Sequence, residues 1–554
     1  MKGRARGEKA SAEVKGEAVK VAVIGSGLSG LSAAYLLCKD QDAAFEVHLY
    51  EKAASLGMDS GSLALPSAAS EALQDPAKAS PFPKQPGAHR IDVPMRSFFP
   101  EYYPYLRRLY DSCGIPYAQT DNSMSFAQYS DAFSNSPSSI SNSNGILKGS
   151  NGFPCNVPVQ ELAEGAASDR ETVAPYFSFS CYHFNPTGLI SLPDLANPFS
   201  NAARDAAWNY FMALCVAVDY IKLLVLSKLF LFLGYLDLGG KSGGIKDLTI
   251  AEFFSRYYFT SAFVLGTFYP LFSGVCTCSF EKLLDFPASV ILLYCARCMP
   301  TGKMSFVTTS VKHVCEKLSE PISHVFLESC VESIHPISDD PNGFRHLIKV
   351  GGPQAGERKY HHIVFATQAN QAASILTASE LPVVGEDTIQ LLQTFPYEKT
   401  LVICHRDETL LPPNPRDWRC MNFTNKASHV GLHRNDIFYM ATLQAFSSQP
   451  DAKGEVYREK DISQCTHIVS FTLPNVVANA DADKKISLGS DIMDSFSPDR
   501  DYIFQTTNPV VRPDPAKTLG VSWYERYVIH ARTLIAQVYR DARLWQTDQA
   551  AMGP

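Results

Sequence analysis

Gly25, Gly27 and Gly30, in the stretch VAVIGSGLSG, are the residues whose spacing most directly implies chemistry. Each glycine has its own job in a G-x-G-x-x-G turn. The first permits a tight bend, the second lets the backbone approach a pyrophosphate, and the third lets strand and helix pack closely. Ser26, Leu28 and Ser29 complete the turn. A helix starting there offers unpaired N–H groups and the positive end of its dipole to phosphate oxygens. The bare pattern is a weak signal. Here it follows an apolar strand and opens a helix, and Glu51 sits about 20 residues further on, where an acid binds a ribose 2′-hydroxyl. Glu51 would repel a 2′-phosphate, so the sequence favours a dinucleotide with a free 2′-hydroxyl, FAD or NAD, over NADP.

The elements that must position these residues are a strand over Val19–Ile24, a helix over Leu28–Cys38 and a second strand over Phe45–Glu51, which together read as a βαβ opening. Residues 1–18 read as a disordered tail. Two Ser/Pro/Ala/Asn-rich stretches, 59–89 and 134–152, carry too little apolar surface to pack and read as surface insertions. HHIVFATQA (361–369), IVSFTLP (468–474) and YIFQTTNP (502–509) read as further strands. At 554 residues the chain exceeds one simple core, so two domains are expected.

A net charge of -7 argues against nucleic acid as a partner, since phosphate backbones select basic surfaces. The 14 cysteines are scattered through apolar runs such as ALCVAV and LLYCARC, the usage of a reducing compartment with buried free thiols. The N-terminal MKGRARGEKASAEVKGEAVK has no apolar core and carries Glu8, Glu13 and Glu17 among its bases. That fits neither a secretory signal nor a mitochondrial presequence, so an intracellular, cytoplasmic location is expected. The most apolar region, Phe211–Leu236, is interrupted by Asp219, Lys222 and Lys228. A transmembrane span is therefore rejected in favour of a pair of core helices, with a helix lying in a membrane interface as the alternative.

YEKAASLG (50–57) continues the acid into E-x-x-x-x-x-G. In this it resembles the flavoprotein superfamily that includes monoamine oxidases and phytoene desaturases. There the pattern usually ends in two glycines; here Met58 replaces the second. Further segments resemble the amine-oxidase-like flavoproteins of microbes. RIDVPMRSF (90–98) is similar to the strand beneath the flavin, and YYPYLRRLYDSCGIPY (102–117) to the helix after it. LLDFPASVILLY and GKMSFVTTSVKHVCEKL are similar to the lead into the second half of the FAD domain, and FPYEKTLVICHRDETLLPPNPRDW to a substrate-domain segment. VFLESCVESI is similar to a strand whose Val331 would touch adenine through its backbone, and HIVFATQANQAASIL to the strand that returns to the nucleotide with Ala366 and Thr367.

The resemblance implies an α/β fold: a Rossmann-like FAD-binding domain of the glutathione-reductase type, assembled from separated segments, with an inserted α+β substrate domain. On that basis 19–100 and 301–375 belong to the FAD domain, 101–300 and 376–510 to the substrate domain, and 511–554 is an atypical C-terminal segment. It also implies FAD as the cofactor, held by the glycine turn, Glu51, Lys52, Arg96, Val331, Ala366 and Thr367. Arg96 could stabilise negative charge on a reduced ring. The implied chemistry is hydride transfer from an apolar or amine substrate to flavin N5. No side chain stands out as a catalytic base. A closing motif near the C-terminus, a strand ending in Gly followed by a helix facing the flavin, is not recognisable in HARTLIAQVYRDARLWQTDQAAMGP. The second reading is therefore a catalytically inactive nucleotide-binding protein, truncated or a pseudoenzyme, on the same scaffold; an NAD-dependent dehydrogenase is a third.

Other constellations read as structural. Cys276, Cys278, Cys295 and Cys298 have a spacing zinc can use, but their apolar flanks favour buried thiols, and no metal is expected. GGKSGG (239–244) lacks the leading glycine of a P-loop, with Tyr235 in its place. His405 and Asp407 could carry protons in a cleft, but CHRDE reads as a surface loop. No G-x-S-x-G elbow supports serine hydrolase chemistry.

Overall fold

The computed structural model describes residues 18–40, 44–57, 62–64, 90–92, 97–119, 123–129, 173–180, 201–236, 244–299, 302–379, 384–412, 418–426, 464–468 and 502–529. These fall into two compact units, one drawn from 1–60 and 311–393, the other from 61–310 and 394–554.

In the first unit, β1 (Val19–Ile24), α1 (Leu28–Lys39) and β2 (Phe45–Tyr50) form the expected βαβ opening. The two strands are parallel, Val19 opposite Phe45 and Ile24 opposite Tyr50. The strand His324–Phe326 adds beside β2 and His362–Phe365 beside β1, giving a four-stranded parallel sheet drawn from widely separated segments. Val21, Val23, Val47 and Leu49 are all but fully buried, and α1, with buried Leu31 and Ala34, packs against both strands. Ala22, Ile24 and Tyr50 point the other way, into a core shared with Val331, Ile334, Ile348, Val350 and Tyr360. All five come from a three-stranded antiparallel sheet, Cys330–Pro336, His346–Gly351 and Gly356–Tyr360. The single strand expected through VFLESCVESI is therefore two strands in two sheets. Glu328, at φ +50° between them, turns the chain from one sheet to the other.

The second unit holds a seven-stranded mixed sheet, in the order Thr518–Tyr527, Tyr397–His405, Phe504–Thr507, Gln464–Ile468, Met421–Lys426, Ser123–Tyr129, Val173–Ser180. One pair, Ser123–Tyr129 with Met421–Lys426, is parallel. Its helical part, 244–299, is built on phenylalanine: Phe253, Phe254, Phe259, Phe263, Phe268 and Phe272 are almost wholly buried. The described residues of 90–98 form two short strands, Arg90–Ile91 and Ser97–Phe98, each paired with a different partner.

The apolar region around 211–236 is one continuous helix, Asn201–Phe232, rather than the expected pair. Its charges have local partners, which is how they interrupt so apolar a segment without breaking the helix. Asp219 is buried, accepts from the Thr260 N–H and hydroxyl at 2.7 and 2.6 Å, and pairs with Lys222 at 2.6 Å. Lys222 also lies over the Phe259 ring. Among the described residues, no helix is long and apolar enough to cross a membrane.

Candidate dinucleotide-binding site

β1 and β2 end side by side, so the glycine turn and Glu51 leave the sheet at the same edge. Gly25 has φ +97°, and a Cβ there would lie 3.0 Å from both the Ala366 carbonyl oxygen and Thr367 Cγ2. A Cβ on Gly30 would lie 1.9 Å from the Gly25 carbonyl oxygen. Both must be glycine for the turn to close on the sheet. Gly27 is different. Its φ of -58° suits any residue, and a Cβ there would meet no atom of the described residues within 4 Å. Among the described residues nothing requires glycine at this position, and none of them covers its backbone. Gly27 is the N-cap of α1; among the described residues no side chain caps the helix, and its first turn holds no acid. An open, uncapped helix N-terminus is what a phosphate group needs, so the residues present fit a dinucleotide.

Glu51 is buried beside this turn. Its Oε2 accepts from the Ser26 N–H at 3.1 Å and the Ser26 hydroxyl at 2.5 Å, and its Oε1 from the Ala53 N–H at 2.8 Å. A carboxylate has about four lone-pair sites, so three donors leave room for a further hydroxyl. Ser26 is fully buried, and its Oγ accepts in turn from the Gly57 N–H at 2.7 Å. Gly57 has φ +37°, and a Cβ there would lie 2.0 Å from the Ser26 carbonyl oxygen. This gives E-x-x-x-x-x-G a physical reason: the glycine lets the chain after β2 close over Ser26 and lock the acid against the turn.

The other expected site residues take these places. Lys52 follows Glu51 in the loop and is half-buried. The Ala366 N–H donates to the Ile24 carbonyl at 2.9 Å, holding Ala366 and Thr367 against the turn. The Ser329 N–H donates to the Glu51 carbonyl at 2.9 Å, and Val331 lies two residues on, its side chain buried. Arg96, Met58, GGKS (239–242), 469–474 and the C-terminal 530–554 lie outside the described residues.

His405 and Asp407 are not on a surface loop. His405 ends the strand Tyr397–His405 fully buried, and Asp407 is almost as deep. The Asp407 N–H donates to His405 Nδ1 at 3.0 Å, so Nε2 carries the proton and donates to the Thr506 hydroxyl at 2.7 Å. Burial pulls the His405 pKa down to about 4, against the upward pull of Asp407. Burial alone would raise Asp407. Hydrogen bonds from the Asp514 N–H, the Thr409 hydroxyl and the Thr409 N–H, with the Lys517 charge, take it below its ordinary value. The pair is a closed internal network, and its signal was invisible because Thr506, Asp514 and Lys517 are about a hundred residues away in sequence.

Cys278, Cys295 and Cys298 are buried. Burial pushes the Cys276 and Cys298 thiols up to about 12 and the other two higher still. The sequence reading missed a cluster of Glu46, His48 and His324 on the parallel sheet. The alternation in FEVHLY puts Glu46 and His48 on one strand face, a signal for two of the three residues but not for His324.

Residues 23–113 match the family model of the NAD(P)-binding Rossmann-like domain, which agrees with the parallel sheet and glycine turn. A comparison with curated proteins finds no match. The chain is similar to an oxidoreductase from Methanosarcina mazei at 12% identity, covering 91% of this chain and 87% of that one with a TM-score of 0.43. It is similar to cyclohexylamine oxidase from Brevibacterium oxydans at 12% identity, covering 88% and 75% with a TM-score of 0.41. A fatty acid isomerase from P. acnes gives 11% identity, 90% and 78% coverage, and a TM-score of 0.42. Overlays this loose carry no functional argument. The dinucleotide-binding class rests on the turn itself and on the family match.

Proposed function

We propose that the chain binds FAD and is an FAD-dependent oxidoreductase acting on an apolar or amine substrate. The observation that carries this reading is the pairing of Gly27, which no described residue covers or caps at the start of α1, with the buried Glu51 carboxylate beside it. In this reading the first N–H groups of α1 hold the pyrophosphate, and the carboxylate takes the ribose 2′-hydroxyl. Ala366, Thr367, Lys52 and the backbone at Val331 flank the nucleotide. When bound, FAD supplies the hydride acceptor at flavin N5. The protein's part is to seat the nucleotide and exclude water.

A specific observation extends the reading to the source of an apolar substrate. Leu214, Val218, Ile221, Val225, Leu229 and Phe232 recur every three or four residues along the helix Asn201–Phe232, each 44–87% exposed. Such a stripe suits a helix lying in a lipid surface, and peripheral membrane contact through this face is part of the proposal. Phosphatidylcholine vesicles should sediment the protein, and Ile221→Asp with Val225→Asp should release it; wild type left in the supernatant would remove this part.

The reading is tested by adding FAD to the purified chain and screening amines and lipids for anaerobic bleaching of its visible absorption. Uptake followed by bleaching with one substrate class is expected. Uptake with no bleaching by any donor would favour the inactive nucleotide-binding protein, and no uptake would overturn the proposal.

A further inference from the structure

Three chemistry-bearing side chains meet at the end of the parallel sheet opposite the glycine turn. Glu46 and His48 share one face of β2, and His324, on the neighbouring strand, lies directly opposite His48. The two imidazole centroids are 4.4 Å apart. His48 Nε2 lies 2.9 Å from Glu46 Oε1 and His324 Nε2 4.0 Å from the same oxygen, and one ligand atom from each of the three lies within 4.8 Å of the others. Tetrahedral zinc with bonds near 2.0–2.1 Å holds its ligand atoms about 3.4 Å apart, and the two distances to Glu46 straddle that separation. Few side-chain torsions need change to reach it.

A metal-bound imidazole needs a partner on its other nitrogen to fix the ring. His48 has one: its Nδ1 lies 2.6 Å from the Tyr360 hydroxyl, which is 2.5 Å from the Tyr50 hydroxyl. Tyr360 can accept from Nδ1–H while donating to Tyr50, which leaves the Nε2 lone pair aimed at the cluster. Exposure increases outward from 11% for the His48 side chain through 29% for Glu46 to 44% for His324, so a metal and a completing water have a path in. Lys20, on β1 beside Glu46, holds Oε1 at 3.2 Å through a side chain 37% exposed. Its ammonium can shift to the second carboxylate oxygen when a cation arrives.

We propose that Glu46, His48 and His324 form a zinc site, completed by water. Two nitrogens and one carboxylate oxygen suit zinc better than the hard cations, which take all-oxygen sets. Glu46 is five residues before Glu51, about 16 Å along the strand, so the site is independent of the nucleotide. Its role is structural: it clasps β2 to a strand that the chain supplies nearly 280 residues later.

The test uses the full chain, stripped of metal with a chelator and then dialysed against zinc, with bound zinc and melting temperature measured. Wild type should bind one more equivalent than His324→Ala, and zinc should raise the melting temperature of wild type but not of that variant. His324 is exposed enough for its loss to leave folding intact. Lys20→Met, which removes the competing ammonium, should bind zinc more tightly than wild type. Comparing variants separates this site from zinc held by cysteines. Equal zinc content in wild type, His324→Ala and Glu46→Gln, or no zinc in wild type, would overturn the proposal.

Discussion

Glu51 and Asp407 are both buried carboxylates held by backbone N–H and hydroxyl donors, yet their surroundings differ in one respect. Two of the three donors to Glu51 come from Ser26 in the glycine turn and the third from Ala53, and beside that turn no described residue covers Gly27. Asp407 is enclosed by Thr409, Asp514 and Lys517, and its neighbour His405 is spent on Thr506. Burial and hydrogen bonding alone do not mark a ligand site, because structural networks need them as much. What separates the two acids is backbone geometry that leaves room for something that is not protein.

The comparison can be broken most severely at the glycines. Gly30→Ala and Gly57→Ala push a Cβ into backbone oxygens at 1.9 and 2.0 Å. Each should cost at least about 3 kcal/mol, above the usual range for overpacking because the backbone must move. Chemical denaturation would read it, and wild-type stability in either variant would mean the turn is not closed as described. Asp407→Ala should follow, costing about 1–3 kcal/mol by leaving its backbone donors unpaired, with FAD affinity unchanged. A loss of FAD binding at full stability would dissolve the distinction between the two acids.

Acid sharpens the same contrast. His405 has a folded-state pKa near 4, below the unfolded value near 6.5. Between those values the unfolded chain binds a proton that the folded chain does not. The stability His405 contributes is therefore complete above about pH 6.5 and is lost as pH falls toward 4, about 2 kcal/mol by pH 5. Asp407, depressed in the fold, adds a further loss only at still lower pH, as it titrates through its folded value. His405→Gln should flatten the profile between pH 7 and 5; an unchanged slope would place the titration elsewhere. The smallest effect expected is from Ser26→Ala, about 1.5 kcal/mol. Ser26 can still donate through its N–H to Glu51, while the hydroxyl's own bond to Glu51 and its bond from the Gly57 N–H are lost.

The turn was legible because its requirements are local. Gly25, Gly27, Gly30 and Glu51 lie within one βαβ unit, and their spacing is fixed by one bend and one helix start. Gly57 was legible as part of a pattern, but its reason, the close approach to Ser26, needed coordinates. The illegible parts have partners supplied from far along the chain. Nothing near CHRDE announces Thr506 or Lys517, and nothing near FEVHLY announces His324 or Tyr360. The split of VFLESCVESI into two strands was hidden because the stretch holds no Gly, Pro or Asn to break it, and the turn falls on Glu328 at positive φ.

The central claim is that Gly27 is glycine for a ligand and not for the fold, and the direct measurement is FAD titration of wild type and Gly27→Ala beside their melting curves without nucleotide. The account predicts identical melting, an oxidised-flavin spectrum taken up by wild type, and affinity at least tenfold weaker in the variant, about 1.4 kcal/mol. A colourless wild type that ignores added FAD, or a Gly27→Ala protein that binds it as tightly, would contradict it.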